Sequence, residues 1–599
     1  MESQPHFIDY RKQVQRITVY GIRKISQQIE IISCLLIDMY ILGISAFYHD
    51  SAASLLKDGV VITAVEEERF TRIKHDNSFP YKAIEYCLVS NNLSIKDINY
   101  VAYYEKPLLK FERILETFVE TYPFSLYPFI KAIPEWLGEK IKVGAIIKKK
   151  LGYKGEIYYI PHHLSHASAA FFTSPFKRAA ILTVDGVGDV STTDMWMGEL
   201  GKITNVGEIF FPNSLGLFYS TLTAFLGFRV NSDEYKVMGL GAYGNPTYKQ
   251  KLARLIKIND DGSFELDLSY FAFRESFRMW SRKFESEFGS HRNPGEPITQ
   301  RHKDMAASLQ VVTEDVYFGI LNNLYKKTHI KNLCISGGVA LNSLANGKIY
   351  KNTKFRNIYD FGPAGDSGTS LGAALFLYTS VLKHPRPKAV KTLCLGSEYA
   401  ESYIEHVLEK NGLKYEKIDN QKMLIDKVAH NLKKNDVIGW FQGRMEFGPR
   451  ALGSRSILAN PKSAGMKDVV NKIKKRESFR PFAASVLQEK VQELFDVPEK
   501  NHKSPYMNFC FEVKDEAKRN IAAIVHEDGT CRIQTVCEDN GLFYKLIKRF
   551  YFLTGIPCLL NTSFNLSVEP IVEKPEQAIY DFTNSSLDVL VIGNFIVTK

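Results

Sequence analysis

The chain lacks the features that would mark it as exported, membrane-spanning or zinc-stapled. Its 599 residues contain no C-x-x-C pair, which argues against a structural zinc ribbon. The eight cysteines are scattered, several in apolar runs such as Leu333-Cys334-Ile335, and read as reduced core residues of a cytoplasmic protein. No apolar stretch reaches the roughly 18–20 residues needed to span a bilayer, so no membrane partner is expected. The opening segment lacks a basic start, a clean apolar centre and a small-residue cut site, so it does not read as a signal peptide. Residues 1–38 mix charged and apolar residues up to Asp38. They are read as a non-native or disordered extension, with Met39 as the start.

What is present is an ordinary globular composition. Hydrophobic residues make up 45% and charged residues 24%, which excludes a disordered or fibrous chain. The length calls for two or more domains. A formal charge of +11 suits phosphate handling as well as nucleic acid, and by itself selects neither.

Patterning divides the chain. Residues 40–66 read strand, turn, strand, turn, strand, with Asp50 at the first turn and Asp58-Gly59 at the second. The pattern returns at 178–210, where Arg178 to Asp185 leads into Gly186-Val187-Gly188-Asp189. Two such units, each with an acid at its first turn, read either as two unrelated β-meanders or as a duplicated fold of the actin and hexokinase (ribonuclease H-like) type. A third strand-loop-helix unit at 332–347 breaks at Gly337-Gly338, where backbone amides can approach a nucleotide. His384-Pro385-Arg386-Pro387 interrupts helical patterning, placing a linker at 384–391 between domains at 39–383 and 392–599.

Several segments carry side chains suited to chemistry. His162 and His166 are four apart, so on a helix they share one face and can hold one metal. The H-E-x-x-H pattern needs Glu where His163 stands, so peptide hydrolysis loses its usual base. A third ligand must come from elsewhere. Asp366, at a Gly-rich turn before an Ala/Leu-rich helix, suits a ligand and equally suits a helix N-cap. In the first tight turn His49 can serve as a general base, or stand merely beside Asp50 as an ordinary turn acid. Lys236 can reach a phosphate or sit at a surface helix entry. Segment 436–480 holds ten Lys/Arg against four Asp/Glu, with Arg444, Arg450, Arg455, Lys475, Arg476 and Arg480 set among Gly, Pro and Phe. That spacing fits a folded anion pocket better than a solvated basic run. His526, Asp528 and Arg532, then Asn561 and Ser563, add polar clusters at strand ends, each of which alone would pass as turn chemistry.

In order along 39–599 stand ILGISAFYHDSAASLL, EEERFTRIKHD, HHLSHA, DEYKVMGL, SGGVALN, the turn ending in Asp366, QGRMEFGPRALGSRSIL, KRESFRPFAASVL, HEDGTCRIQTV and NTSFN. Together these segments resemble the NodU/CmcH family of carbamoyltransferases. Small departures at Gly241 and Glu527 touch no proposed ligand. The resemblance implies an α/β protein of two modules. The N-terminal one is similar to the metal-binding domain of tRNA threonylcarbamoyl transferases, and the C-terminal one is YrdC-like. It further implies that carbamoyl phosphate and ATP, as its magnesium complex, give carbamoyl-adenylate among the C-terminal arginines and polar clusters. The carbamoyl group then passes to a hydroxyl of a sugar or natural product in the N-terminal module. In that scheme His162, His166 and Asp366 hold iron(II) or another divalent metal, and His49 with Asp50 takes the acceptor proton. Lys236, Gly337, Gly338 and Asn342 would bind the adenylate. Nucleic acid is not an expected partner, a homodimer is allowed, and a tRNA-modifying carbamoyl or threonylcarbamoyl transferase is the competing reading.

Overall fold

The computed structural model describes residues 38–599. The reading of residues 1–38 as an extension therefore lies outside the described residues, apart from Asp38. That residue is exposed and pairs with Lys57 at 2.7 Å.

The alternating apolar pattern of 40–66 folds as an antiparallel meander of β1 (Tyr40–Ser45), β2 (Ala52–Lys57) and β3 (Val60–Glu66). On its free edge β1 takes β4 (Tyr100–Tyr103) in parallel, and β4 takes β5 (Glu156–Tyr159). The second copy starts with β6 (Arg178–Val184), β7 (Ser191–Glu199) and β8 (Lys202–Phe210), again antiparallel. After an insertion carrying the small hairpin β9 (Ile256–Ile258) and β10 (Phe264–Leu266), β11 (Asn332–Ser336) and β12 (Asn357–Asp360) extend the sheet in parallel. The orders are β3-β2-β1-β4-β5 and β12-β11-β6-β7-β8. Strand order and direction match between the halves, which is the duplicated actin/hexokinase-type arrangement expected from the two acid-bearing turns.

In each half the fifth strand feeds a helix. After β5 comes α1 (His162–Thr173); α2 (Glu234–Gly241) lies in the insertion; α3 (Ser343–Asn352) follows β11; and α4 (Asp366–Phe376) follows β12. Helices α1 and α4 are buried along almost their whole length and pack on each other between the two sheets. Gly372 makes the crossing possible, because a Cβ there would stand 1.8 Å from Ser165 O. Gly43 does the same between β1 and α4, where a Cβ would stand 1.9 Å from Ser370 O. The result brings the N-terminal ends of two equivalent helices face to face.

The remaining chain forms a nine-stranded mixed sheet, order β13-β21-β20-β14-β15-β19-β16-β18-β17. Its strands are β13 (Tyr415–Lys417), β14 (Ile438–Phe441), β15 (Arg455–Ala459), β16 (Ala483–Leu487), β17 (Phe509–Glu512), β18 (Thr530–Val536), β19 (Cys558–Ser563), β20 (Val589–Ile592) and β21 (Phe595–Thr598). Both modules are thus α/β. The segment 384–391 carries neither helix nor strand but is held against the first module. His384 stacks on Tyr378 with centroids 4.7 Å apart, and Arg386 donates to the carbonyls of Phe171, Ser174 and Phe176. The described cysteines are free and mostly buried. No described helix is long and apolar enough to cross a membrane.

Candidate active site

The crossing of α1 and α4 builds a cluster that neither helix could make alone. His162 and His166, one turn apart on α1, face Asp366 in the first turn of α4, and Asp185 reaches in from the turn after β6. Their ligand-type atoms all lie within 4.8 Å of one another, and all four residues are buried. Asp185 Oδ2 stands 3.0 Å from His162 Nε2 and 3.2 Å from His166 Nε2. Asp366 Oδ1 is 3.5 Å from His166 Nε2 and 3.8 Å from His162 Nε2. Asp366 is not a helix cap. Gly365 holds the N-cap position, and both Asp366 oxygens are buried without a hydrogen-bond partner. A buried carboxylate left unpaired is costly, so the two imidazole nitrogens and two carboxylates form a donor set that fits a divalent cation. It suits iron(II), manganese and zinc alike.

Asp185, in the sequence a turn acid, joins the expected ligands His162, His166 and Asp366 as a fourth. Its orientation comes from glycines. Oδ1 accepts from Gly186 N–H at 2.8 Å and Gly338 N–H at 3.3 Å, leaving Oδ2 for the histidines. Burial works to raise the Asp185 carboxyl, but the two imidazoles overrule it and hold it well below its ordinary value. His166 shows the reciprocal effect: burial lowers it, yet Asp185 and Asp366 lift it to about 9. His163 points elsewhere, to Thr183 Oγ1 and Ser191 O at 2.9 and 3.1 Å, and pins α1 to the second sheet.

His49 stands beside this cluster, its Nε2 3.8 Å from Asp366 Oδ2. Asp50 occupies a left-handed backbone position, φ 52°, which an aspartate tolerates better than most residues. That bend puts its Oδ2 2.9 Å from His49 Nδ1 and its Oδ1 2.7 Å from His75 Nδ1. Asp50 is therefore more than an ordinary turn acid. Burial lowers His49, but Asp366 and then Asp50 outweigh it and push it up to about 10. While those carboxylates are uncompensated His49 stays an imidazolium; a base there requires that field to be neutralised.

The second module contributes cations to the same space. A cavity of about 370 Å³ runs from Tyr48, His49 and Asp185 to Arg450, Lys474, Arg476, Arg480, Arg532 and Ser563. Among the described residues Arg450 is held by one long contact to Asn508 Oδ1, 3.5 Å, and Arg532 Nε is buried without a partner. Burial, and next Arg532, push Arg450 down to about 9. Unpaired cations at that depth mark an anion site. Arg476 and Arg480 are braced by Phe482 and Tyr235, 4.2 and 4.9 Å from the ring centroids. Lys474 is held by Asn565 Oδ1 at 2.7 Å and by the Ser563 carbonyl.

Other expected residues fall differently. Arg444 and Arg455 turn away from the cavity. Arg444 donates to the carbonyls of Ile62, Leu395 and Gly396. Arg455, fully buried, donates to those of Ser397, Gln442 and Gly443. Both satisfy backbone carbonyls, mostly in loops, because a turn rich in glycine leaves backbone acceptors that need donors. Lys475, expected at the anion pocket, is exposed, and its neighbour Lys474 takes the inward place. Asn561 bridges strands through Ser485 Oγ and Gln534 Oε1, at 2.8 and 3.3 Å. His526 and Asp528 line a smaller recess next to the main cavity. Lys236, Gly338 and Asn342 line the main one, yet each is already engaged. Lys236 pairs with Asp233 and Glu477 at 3.1 and 3.2 Å, and Asn342 caps α3 through Ala345 N–H. Gly337, at φ 92°, has no room for a side chain: its Cβ would meet Val184 O at 2.2 Å.

With this geometry in hand, comparison with known proteins decides the family. Residues 40–375 match the model described as carbamoyltransferase N-terminus, and residues 429–599 match carbamoyltransferase C-terminus. The chain belongs to the carbamoyltransferase family. Protein sll1178 of Synechocystis sp. is 44% identical, over 94% of this chain and 97% of its own. Nodulation protein NolNO of Sinorhizobium fredii is 36% identical over 93% and 80% respectively. Nodulation protein NolO of Bradyrhizobium diazoefficiens is 39% identical over 73% and 78%. The solved structure of T. kodakarensis HypF covers 58% of the chain at 13% identity with a TM-score of 0.31, too distant to add to the topology above. This carbamoyltransferase is therefore an enzyme that transfers a carbamoyl group, and its two family segments are the two halves that share the cavity.

Proposed function

We propose that the protein is an ATP-dependent O-carbamoyltransferase working in two steps along one continuous cavity. In the YrdC-like second module, one water hydrolyses carbamoyl phosphate to carbamate and phosphate, and the carbamate oxygen attacks the α-phosphorus of ATP, giving carbamoyl-adenylate and expelling pyrophosphate. In the first module, a hydroxyl of a sugar or natural product attacks the carbamoyl carbon, releasing AMP. The observation that carries this reading is the continuity of the cavity between the Arg450–Arg532 cations and His49. A carbamoyl-adenylate made at one end can reach the other along one cavity, which shortens its exposure to the water that would destroy it.

Arg450 and Arg532 neutralise the phosphates and the charge that develops on departing pyrophosphate. Arg476 and Arg480, rigid on their aromatic supports, fix the polyphosphate's place. His49, its Nδ1 fixed by Asp50, offers Nε2 as the atom that exchanges a proton with the acceptor hydroxyl. His162, His166, Asp185 and Asp366 would hold a divalent metal, iron(II) by family resemblance, which when bound supplies Lewis acidity and a template for the carbamoyl group.

The test is pyrophosphate release by the purified protein with ATP and magnesium, with and without carbamoyl phosphate. Release that requires carbamoyl phosphate is the expected result. Release without it, or none under either condition from folded protein, would remove the adenylate step.

A further inference from the structure

Glu66, the last residue of β3, and Arg69, three residues further on, stand in the wall of the cavity, and both touch the other module. Glu66 and Arg69 are 3% and 2% exposed. Glu66 Oε1 accepts from Gly448 N–H at 2.7 Å, and Arg69 Nη2 donates to Gly448 O at 2.8 Å. Gly448 lies in the second module, two residues before Arg450, at φ 119°. A Cβ there would press on Pro363 at 3.2 Å, in the turn that leads to Asp366. Facing the opposite way, Arg69 Nη1 donates to Glu68 Oε1 at 2.5 Å. Glu68 Oε2 accepts from His75 N–H at 2.7 Å, and His75 meets the Asp50 that fixes His49.

We propose that Arg69, braced by Glu66, is a positioning residue that sets the Arg450 loop of one half-reaction and the His49 support of the other. The inference rests on the two-step reading above. A guanidinium suits the task because its donors diverge in a rigid plane, so one group can hold two acceptors in fixed relation; an ammonium cannot. The loop does not depend on Arg69 for its existence. Glu446 Oε1 already accepts from the N–H groups of Leu452, Ser454 and Arg455 at 2.8, 2.7 and 3.1 Å. What Arg69 and Glu66 add is the tether of Gly448 to the first module, which aims Arg450 into the cavity.

Arg69→Gln and Arg69→Lys are compared with wild type in carbamoyl phosphate-dependent pyrophosphate release, and by hydrogen exchange of the peptide covering 446–451. Both variants are expected to raise the KM for carbamoyl phosphate on the order of tenfold with kcat changed less than threefold, and to speed exchange at Gly448 while β14 and β15 stay protected. A purely structural role would instead lower kcat in step with the folded fraction and leave KM in place. That outcome, or unchanged loop exchange, would overturn the inference. Should Arg69→Gln not fold, Glu66→Gln keeps an acceptor for Gly448 N–H but loses the charge facing Arg69, and a smaller KM rise is expected. If wild type itself shows no carbamoyl phosphate dependence, the two-step reading fails, while the exchange measurement still decides whether Arg69 positions the loop.

Discussion

Asp185 and Asp366 face the same two imidazoles but are held in different ways. Asp185 is anchored by two backbone amides, whereas Asp366 depends on whatever enters the cluster. Asp185→Asn retains the shape and removes one charge. It is expected to weaken divalent metal binding at least about tenfold, the range found when a ligand or its immediate support is lost, as measured by metal titration and bound-metal analysis. Pyrophosphate release from the distant arginines should persist. Asp194, on β7, is a different kind of buried acid. Its Oδ1 has no partner, and burial, reinforced by Glu208 and Asp189, pushes the carboxyl up to about 7. A raised acid is more protonated folded than unfolded, so the contribution of Asp194 to stability is fully present below about pH 4 and is lost as pH rises through 7. Asp194→Asn should flatten that slope, read as urea midpoints at pH 5 and pH 8; an unchanged slope would remove Asp194 as its source. At this scale the sequence showed residue types but not directions. Arg455 and Arg450 have similar glycine-rich neighbours, and only the fold decides that one feeds carbonyls and the other faces the cavity.

Among the elements, the crossing of α1 on α4 matters most, because it sets the distance between His162 or His166 and Asp366. Gly372→Ala would force Ser165 O away from a Cβ that now has 1.8 Å. The expected cost is about 1–3 kcal/mol, the usual range for overpacking, seen in the denaturation midpoint. Metal affinity should fall with it, since the helices must separate. A variant as stable as wild type with unaltered metal binding would show that the crossing has slack. The duplicated meanders were legible because alternation, turn acids and glycines are local signals. The nine-stranded sheet was not, because it depends on pairings between distant strands, such as β16 with β18 and β14 with β20, that no local pattern specifies.

For the whole molecule, the border between modules is as functional as either module, since one cavity crosses it. Gly347 on α3 meets the second module so closely that a Cβ would stand 1.8 Å from Cys510 O on β17. Gly347→Val should wedge the border open and let water and solutes in. On the two-step reading, external hydroxylamine would then intercept the carbamoyl group, giving more hydroxyurea per pyrophosphate released than wild type. An equal yield from both proteins would mean that enclosure does not depend on this contact.

The sequence by itself determined the α/β class, the repeated strand-turn-strand unit, the His162–His166 pair and the basic character of the second module. Each of these is written in spacing or composition over a few residues, where helical and strand periodicities act directly. The tertiary structure alone decided that Asp185 completes the cluster, that Asp366 is not a cap, and that Lys474 rather than Lys475 points inward. It also decided that Glu66 and Arg69 reach across to Gly448. These depend on where separate elements meet and on which buried polar atoms find partners there. That is settled by packing between segments far apart in the chain, not by their neighbours along it.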